Sequence, residues 1–209
     1  MIEIAAFVFF FLMAVIFHEV SHGLVANALG DSTAKQAGRL TLNPLKHLDP
    51  FWTVLLPALL FISTEGRFAI GMAKPVPVNF ARLRSPKRDM MWVALAGPAA
   101  NLLLASILTV FFKLSAPEPQ RLSVFLLLAV YFNLGLAVFN LIPVPPLDGS
   151  KIVAGILPNA LAYRYLAVEP FGFIIILVLY FTGALSRFIV PGIDLFCQLL
   201  DVPKLSVSF

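Results

Sequence analysis

Of the chain's 209 residues, 60% are hydrophobic and only 12% are charged, and the mean hydropathy is +0.93. Soluble domains carry about 25% charged residues, so the composition excludes a soluble globular protein and calls for one embedded in a membrane. The net charge of +4 is modest, and its cations gather between Arg67 and Arg88, with Lys74, Arg82, Arg84 and Lys87. That pattern marks a cytoplasmic membrane face and not a nucleic-acid site.

Residues 4–17, 51–64, 90–112, 122–147 and 170–186 contain no Asp, Glu, Lys or Arg. About 20 helical residues span a bilayer core. The first span is expected over residues 4–29, ended by Gly30-Asp31. Met1-Ile2-Glu3 lacks a positive leader, and the segment ends without a small-x-small site, so it reads as a retained transmembrane helix. Gly38-Arg39-Leu40-Thr41-Leu42-Asn43-Pro44 alternates polar and apolar residues before a turn signal, which predicts a short strand at the membrane edge. Residues 51–64 are too few to cross and carry Pro57, so they are expected to be re-entrant or half-inserted. Pro75 and Pro77 forbid helix over residues 71–79 and favour an extended edge segment.

A second span is expected over residues 90–112. It holds Gly97, Pro98 and Asn101 at mid-depth, where small residues let helices approach and an amide needs a partner. A short loop over 113–121 carries Pro117 and Pro119. A third span, 122–142, runs into Pro143-Val144-Pro145-Pro146-Leu147-Asp148-Gly149, where helix must stop. A fourth span is expected over 170–186 and a short terminal helix over 193–200. The expected fold is thus all-α and polytopic: about four full spans, a re-entrant segment, and short edge strands near the cytoplasmic face. It forms one domain over 1–209, with a core over about 1–160 and a C-terminal span and helix over 165–209. No internal repeat and no soluble domain are evident. The single cysteine, Cys197, forms no internal disulfide and no metal cluster.

If residues 51–64 do not cross, residues 31–89 lie on one side, and their cations make that side the cytoplasm. The chain's start then lies outside, and the loop after Asp148 returns to the cytoplasm. His22 and Asp148 both fall toward the cytoplasmic ends of their helices, at similar depth.

His18-Glu19-Val20-Ser21-His22 lies inside the first apolar segment. A charge at the bilayer centre costs about 2.5–3.5 kcal/mol on insertion scales, and ionisable residues there are functional by default. Positions i and i+4 differ by about 40° in rotation and about 6 Å in rise, so His18 and His22 can bind one ion together. Glu19 adjoins that ion without being forced to ligate it. Hydrolytic zinc takes three protein ligands and leaves one position open. The third ligand is His47, in a surface-like loop, or Asp148. Asp148 is the better candidate, because it follows prolines that break a membrane helix and precedes Gly149. Broken helices are tolerated at membrane depth only where they pack in protein or line a wet cavity, and hydrolysis needs water. The plainer alternative for Asp148 is a helix cap, and for Asn140 a helix–helix hydrogen bond.

The first motif, together with Asn140-Leu141-Ile142-Pro143-Val144-Pro145-Pro146-Leu147-Asp148-Gly149, resembles the site-2 proteases. These are intramembrane zinc metalloproteases with a His-Glu-x-x-His and an Asn-x-x-Pro-x-x-x-Leu-Asp-Gly motif. The resemblance covers roughly residues 1–160 and takes in Ala26, Gly30-Asp31, Gly97-Pro98 and Asn101. It implies one zinc ion per chain, held by His18, His22 and Asp148, with Glu19 as general base. It places Asn140, and with it Asn101, as substrate or oxyanion contacts. No PDZ or CBS regulatory domain is recognisable. The implied activity is hydrolysis of peptide bonds in or near transmembrane segments of single-span membrane proteins. The implied location is the cell membrane of a bacterium, with the site toward the cytoplasm. An extended segment over 74–79 offers a strand edge to an unwound substrate. A zinc transporter or metal-binding membrane scaffold is the alternative, and it requires ionisable residues on other spans. Residues 90–112 and 122–142 have none. A prenyl-protein endopeptidase type would take its last ligand as Glu or His from another helix.

Overall fold

The computed structural model describes residues 2–63, 65, 74–115 and 120–204. Helix α1 covers Ile2–Ala28. It closes at Gly30, whose φ of 115° suits a residue without Cβ. There Gly30 N–H donates to Asn27 O at 3.3 Å and Asp31 N–H to Ala26 O at 2.9 Å, so the last carbonyls are satisfied as the chain reverses. Then come α2 (Thr33–Gln36), a 3₁₀ turn at Pro44–Lys46, a π-helical stretch over Pro50–Leu55, α3 (Leu56–Ser63) and a 3₁₀ turn at Phe80–Arg82. Helix α4 (Pro86–Leu114) leads to α5 (Gln120–Leu141), α6 (Asp148–Ile156) and α7 (Asn159–Leu166). A 3₁₀ turn at Glu169–Phe171, α8 (Gly172–Phe181) and α9 (Ser186–Leu200) complete the order.

Among the described residues four stretches are long and apolar enough to cross a bilayer: Ala6–Ala28, Pro86–Leu114, Leu122–Leu141 and Asn159–Phe181. The protein is therefore an all-helical, multi-pass membrane protein. Helix α4 is its centre and packs against α1, α5 and α6. One face of α4 is buried through Val93, Gly97, Asn101, Ala105 and Thr109, while Leu103, Val110 and Phe111 stay exposed on the other. The polar atoms are thus inside and the apolar ones outside, as lipid demands. Val130 and Leu134 of α5 close a core with Ala105 and Cys197. Cys197 serves there as a small buried apolar residue.

Three expectations need correction. No strand occurs among the described residues, either at Gly38–Pro44 or over residues 74–79. Gly38 has a φ of 63°, which ends extension there, and the Asn43 side chain accepts from Leu45 N–H to start a 3₁₀ turn. Over 74–79, N–H groups that would form a ladder go instead to single acceptors: Lys74 to His47 O at 2.9 Å, Val76 to the Glu19 carboxylate at 2.8 Å, Asn79 to the Asp31 carboxylate at 2.6 Å. The fourth span begins at Asn159 and not near 170, because α7 continues through the Glu169–Phe171 turn into α8. Arg164 and Glu169 interrupt the apolar run and hide this in the sequence. The terminal helix starts earlier than expected, at Ser186, and runs through Pro191. Residues 71–73, Arg67, and Pro117 and Pro119 of the expected loop lie outside the described residues.

Candidate metal centre

The heptapeptide Phe17–Gly23 stays helical within α1, so His18 and His22 point to one side, toward α4. Both are buried, at 4% and 9% exposure. Gly97 of α4 leaves the room they need. A Cβ built on Gly97 would lie 2.6 Å from His18 Nε2, closer than real side chains come.

The third member arrives from the broken helix. The chain leaves α5 at Leu141, turns over 142–147, and re-enters helix at Asp148. Gly149 sits against the carbonyls of Leu141 and Ile142, where a Cβ would lie 2.6 Å from Ile142 O. Ser150 Oγ donates to Leu147 O at 2.7 Å and fixes the first turn of α6. Asp148, 6% exposed, is thereby aimed at the histidines. Its Oδ2 lies 3.0 Å from His18 Nε2 and 3.2 Å from His22 Nε2. Lys151 Nζ faces the other oxygen, Oδ1, at 3.7 Å.

The partners of the far ring nitrogens decide what this cluster is. His22 Nδ1–H donates to Val93 O at 2.6 Å, and His18 Nδ1–H to Asn101 Oδ1 at 2.6 Å. With each ring's proton held on Nδ1, both Nε2 atoms present lone pairs. Two lone pairs and a carboxylate oxygen converge within 4.8 Å of one another. Three acceptors facing each other in a buried space repel unless a cation sits among them. Two imidazoles and a carboxylate, each histidine tied back through its other nitrogen, are the donor set and outer support of a catalytic zinc site. The residues fit the metal.

Asn101 is fully buried, and its amide donates to Ala14 O at 3.0 Å and to Asn133 Oδ1 at 2.9 Å. Asn133 in turn donates to Ala129 O at 2.9 Å. The polar line His18–Asn101–Asn133 thus joins α1, α4 and α5. Asn133 was missed by sequence reasoning, although the signal that marked Asn101, an amide inside an apolar span, was present. Asn101 is placed beside a histidine as its hydrogen-bond acceptor. Asn140 is half-buried, and its amide donates to Leu136 O, one turn back, at 3.0 Å. His47 is also apart: it is fully buried and donates through Nε2–H to Thr41 O at 2.7 Å. Glu19 is half-buried beside the cluster, and its Oε2 accepts the Val76 N–H.

The profile of peptidase family M50 matches residues 115–183. The chain is 38% identical to YwhC of Bacillus subtilis strain 168, named as a zinc metalloprotease, over 85% of this chain and 80% of that one. It is 32% identical to Rip2 of Mycolicibacterium smegmatis, named likewise, over 94% of this chain and 74% of that one. No solved structure matches it. A membrane-helix bundle around a buried His-His-Asp cluster defines an intramembrane metalloprotease. The chain belongs to peptidase family M50.

Proposed function

We propose that His18, His22 and Asp148 hold one Zn²⁺ and that Glu19 is the general base of an intramembrane protease. The observation that supports this best is the convergence of three buried acceptors with Glu19 at their edge. Zinc bound there supplies Lewis acidity toward the scissile carbonyl. Glu19 takes the proton of the attacking water and passes it to the leaving amine. The Val76 N–H holds the Glu19 carboxylate toward this work. Lys151, facing Asp148 Oδ1, leaves Oδ2 to the metal and offsets the carboxylate charge.

The substrate on this reading is a single-span membrane protein, cleaved in or near its transmembrane helix after local unwinding. Residues 50–63 form a short helical element that dips into the membrane without crossing it. The loop between α1 and α4, with Arg82 and Arg84, and the first turn of α4, with Lys87 and Arg88, then face the cytoplasm, and the membrane is the inner membrane of a bacterium.

The test is to purify wild type and Glu19→Gln, measure bound zinc, and assay both on a panel of single-span substrates. Both proteins are expected to carry one zinc, and only wild type to cleave. Chelation should abolish cleavage and added zinc restore it. Equal cleavage by the two proteins would refute the role of Glu19; absence of zinc from both would refute the metal site.

A further inference from the structure

Arg39 is 8% exposed. Its Nη2 donates to the carbonyls of Lys74 at 2.7 Å and Pro75 at 3.4 Å, while its Nε is buried without an acceptor. Among the described residues no carboxylate pairs with it. The neighbouring residues 66–73, outside the described set, contain none either. A buried guanidinium without a counter-charge is costly, because carbonyl dipoles replace only part of its hydration. Arg39 lines a cleft of about 460 Å³ that also holds Lys46 and Lys74, and among the described residues no carboxylate lines it. Neither lysine has an ion-pair partner among the described residues. The remaining wall is apolar, with Leu45, Leu48 and Pro75.

From this arrangement we infer that the cleft binds a phosphate group. Three cationic residues line it, one of them buried with an unused donor. The loop that carries it joins two membrane-spanning helices, α1 and α4, so the cleft opens at a membrane face. Leu45, which lines it, is 76% exposed. Cations beside an exposed leucine, on a loop between two spans, match a phosphodiester headgroup and the start of its acyl chains. The site stands apart from the metal cluster and does not depend on the protease reading. One backbone segment links the two, however. The segment that offers Lys74 to the anion offers Val76 N–H to Glu19, so an anion held by Arg39 and Lys74 steadies the backbone beside the base.

Arg39 also braces residues 74 and 75, so its replacement risks the fold. The exposed lysines carry the test. Wild type and the double variant Lys46→Ala/Lys74→Ala, in a neutral detergent, are titrated calorimetrically with dihexanoyl phosphatidylglycerol, dihexanoyl phosphatidylcholine and inorganic phosphate. Thermal unfolding controls for folding of the variant. Wild type is expected to bind the phosphatidylglycerol saturably, the double variant about tenfold more weakly, and the zwitterionic lipid at least as weakly. Inorganic phosphate binding as tightly as the lipid, and equally weakened in the variant, upholds the phosphate site and assigns it to a soluble ligand. No saturable binding, or binding that the double variant leaves unchanged, overturns the inference.

Discussion

His18 Nδ1 lies 2.6 Å from the side-chain oxygen of Asn101, a contact between two spans that are 83 residues apart in the chain. The contact sets the tautomer of His18 and turns its Nε2 toward Asp148. Asn101→Ala leaves a buried N–H without an acceptor, a cost of about 1–3 kcal/mol, and frees the ring to rotate. Zinc affinity is expected to fall about 10- to 100-fold, the usual effect of losing an outer support. Asn133→Ala should cost less, because Asn101 still holds the ring and loses only one of its own partners. Zinc content across a chelator series checks both. Unchanged retention in Asn101→Ala would show that the contact does not position His18.

The Val76 N–H is the protein's grip on the Glu19 carboxylate. Val76→Pro removes that donor and nothing else from the backbone, in a segment already extended between Pro75 and Pro77. Turnover is expected to fall about tenfold through misplacement of the base, with zinc content unchanged. Val76→Ala keeps the N–H and should stay near wild type, although it gives up packing at a buried position. If the two variants lose turnover equally, the side chain matters there and the hydrogen bond does not.

How far these relations can be read from the chain depends on what kind of signal they leave. His18, His22 and Asp148 are polar groups where lipid penalises polarity, and spacing plus a proline break pair them. Asn101 and Asn133 leave the same signal more faintly, as single amides in apolar runs. The Glu19–Val76 contact leaves none, since it joins α1 to a segment 57 residues further along the chain with no pattern to pair them. Alternation at Gly38–Pro44 tells which side chains would share a strand face, but not whether a partner edge exists. There is none among the described residues. Asn140 fits a motif, and one of its amide hydrogens goes to its own helix.

Gly97 separates space from flexibility. A Cβ there would press on both histidines, lying 2.6 Å from His18 Nε2. Gly97→Ala is expected to displace the rings and reduce zinc affinity about 100-fold, while helicity of α4 stays intact. Gly135→Ala is the control. Its Cβ meets only Ile193 Cδ1, at 3.8 Å, so it should leave zinc binding alone and stabilise α5 by up to about 1 kcal/mol. Metal retention and thermal unfolding of the two variants distinguish a crowded cluster from a general helix effect.

Asp31 ties the end of α1 to the segment that carries Val76. It is fully buried. Its Oδ1 accepts from both the N–H and the hydroxyl of Thr33, and its Oδ2 accepts the Asn79 N–H at 2.6 Å. Burial alone would raise its pKa; these hydrogen bonds and the nearby Arg82 outweigh it and hold the carboxyl below the ordinary value of 3.8. A carboxyl with a lowered folded-state pKa contributes stability above its unfolded pKa and loses it as pH falls through the folded one. Asp31 should therefore stabilise the protein fully at neutral pH and progressively less on acidification below about pH 4. Asp31→Asn presents an amide donor where a second acceptor is needed and should cost about 2 kcal/mol at pH 7. That difference should shrink in acid. Thermal unfolding of the two proteins between pH 7 and pH 3 measures it, and a difference independent of pH would show that charge plays no part in the tie.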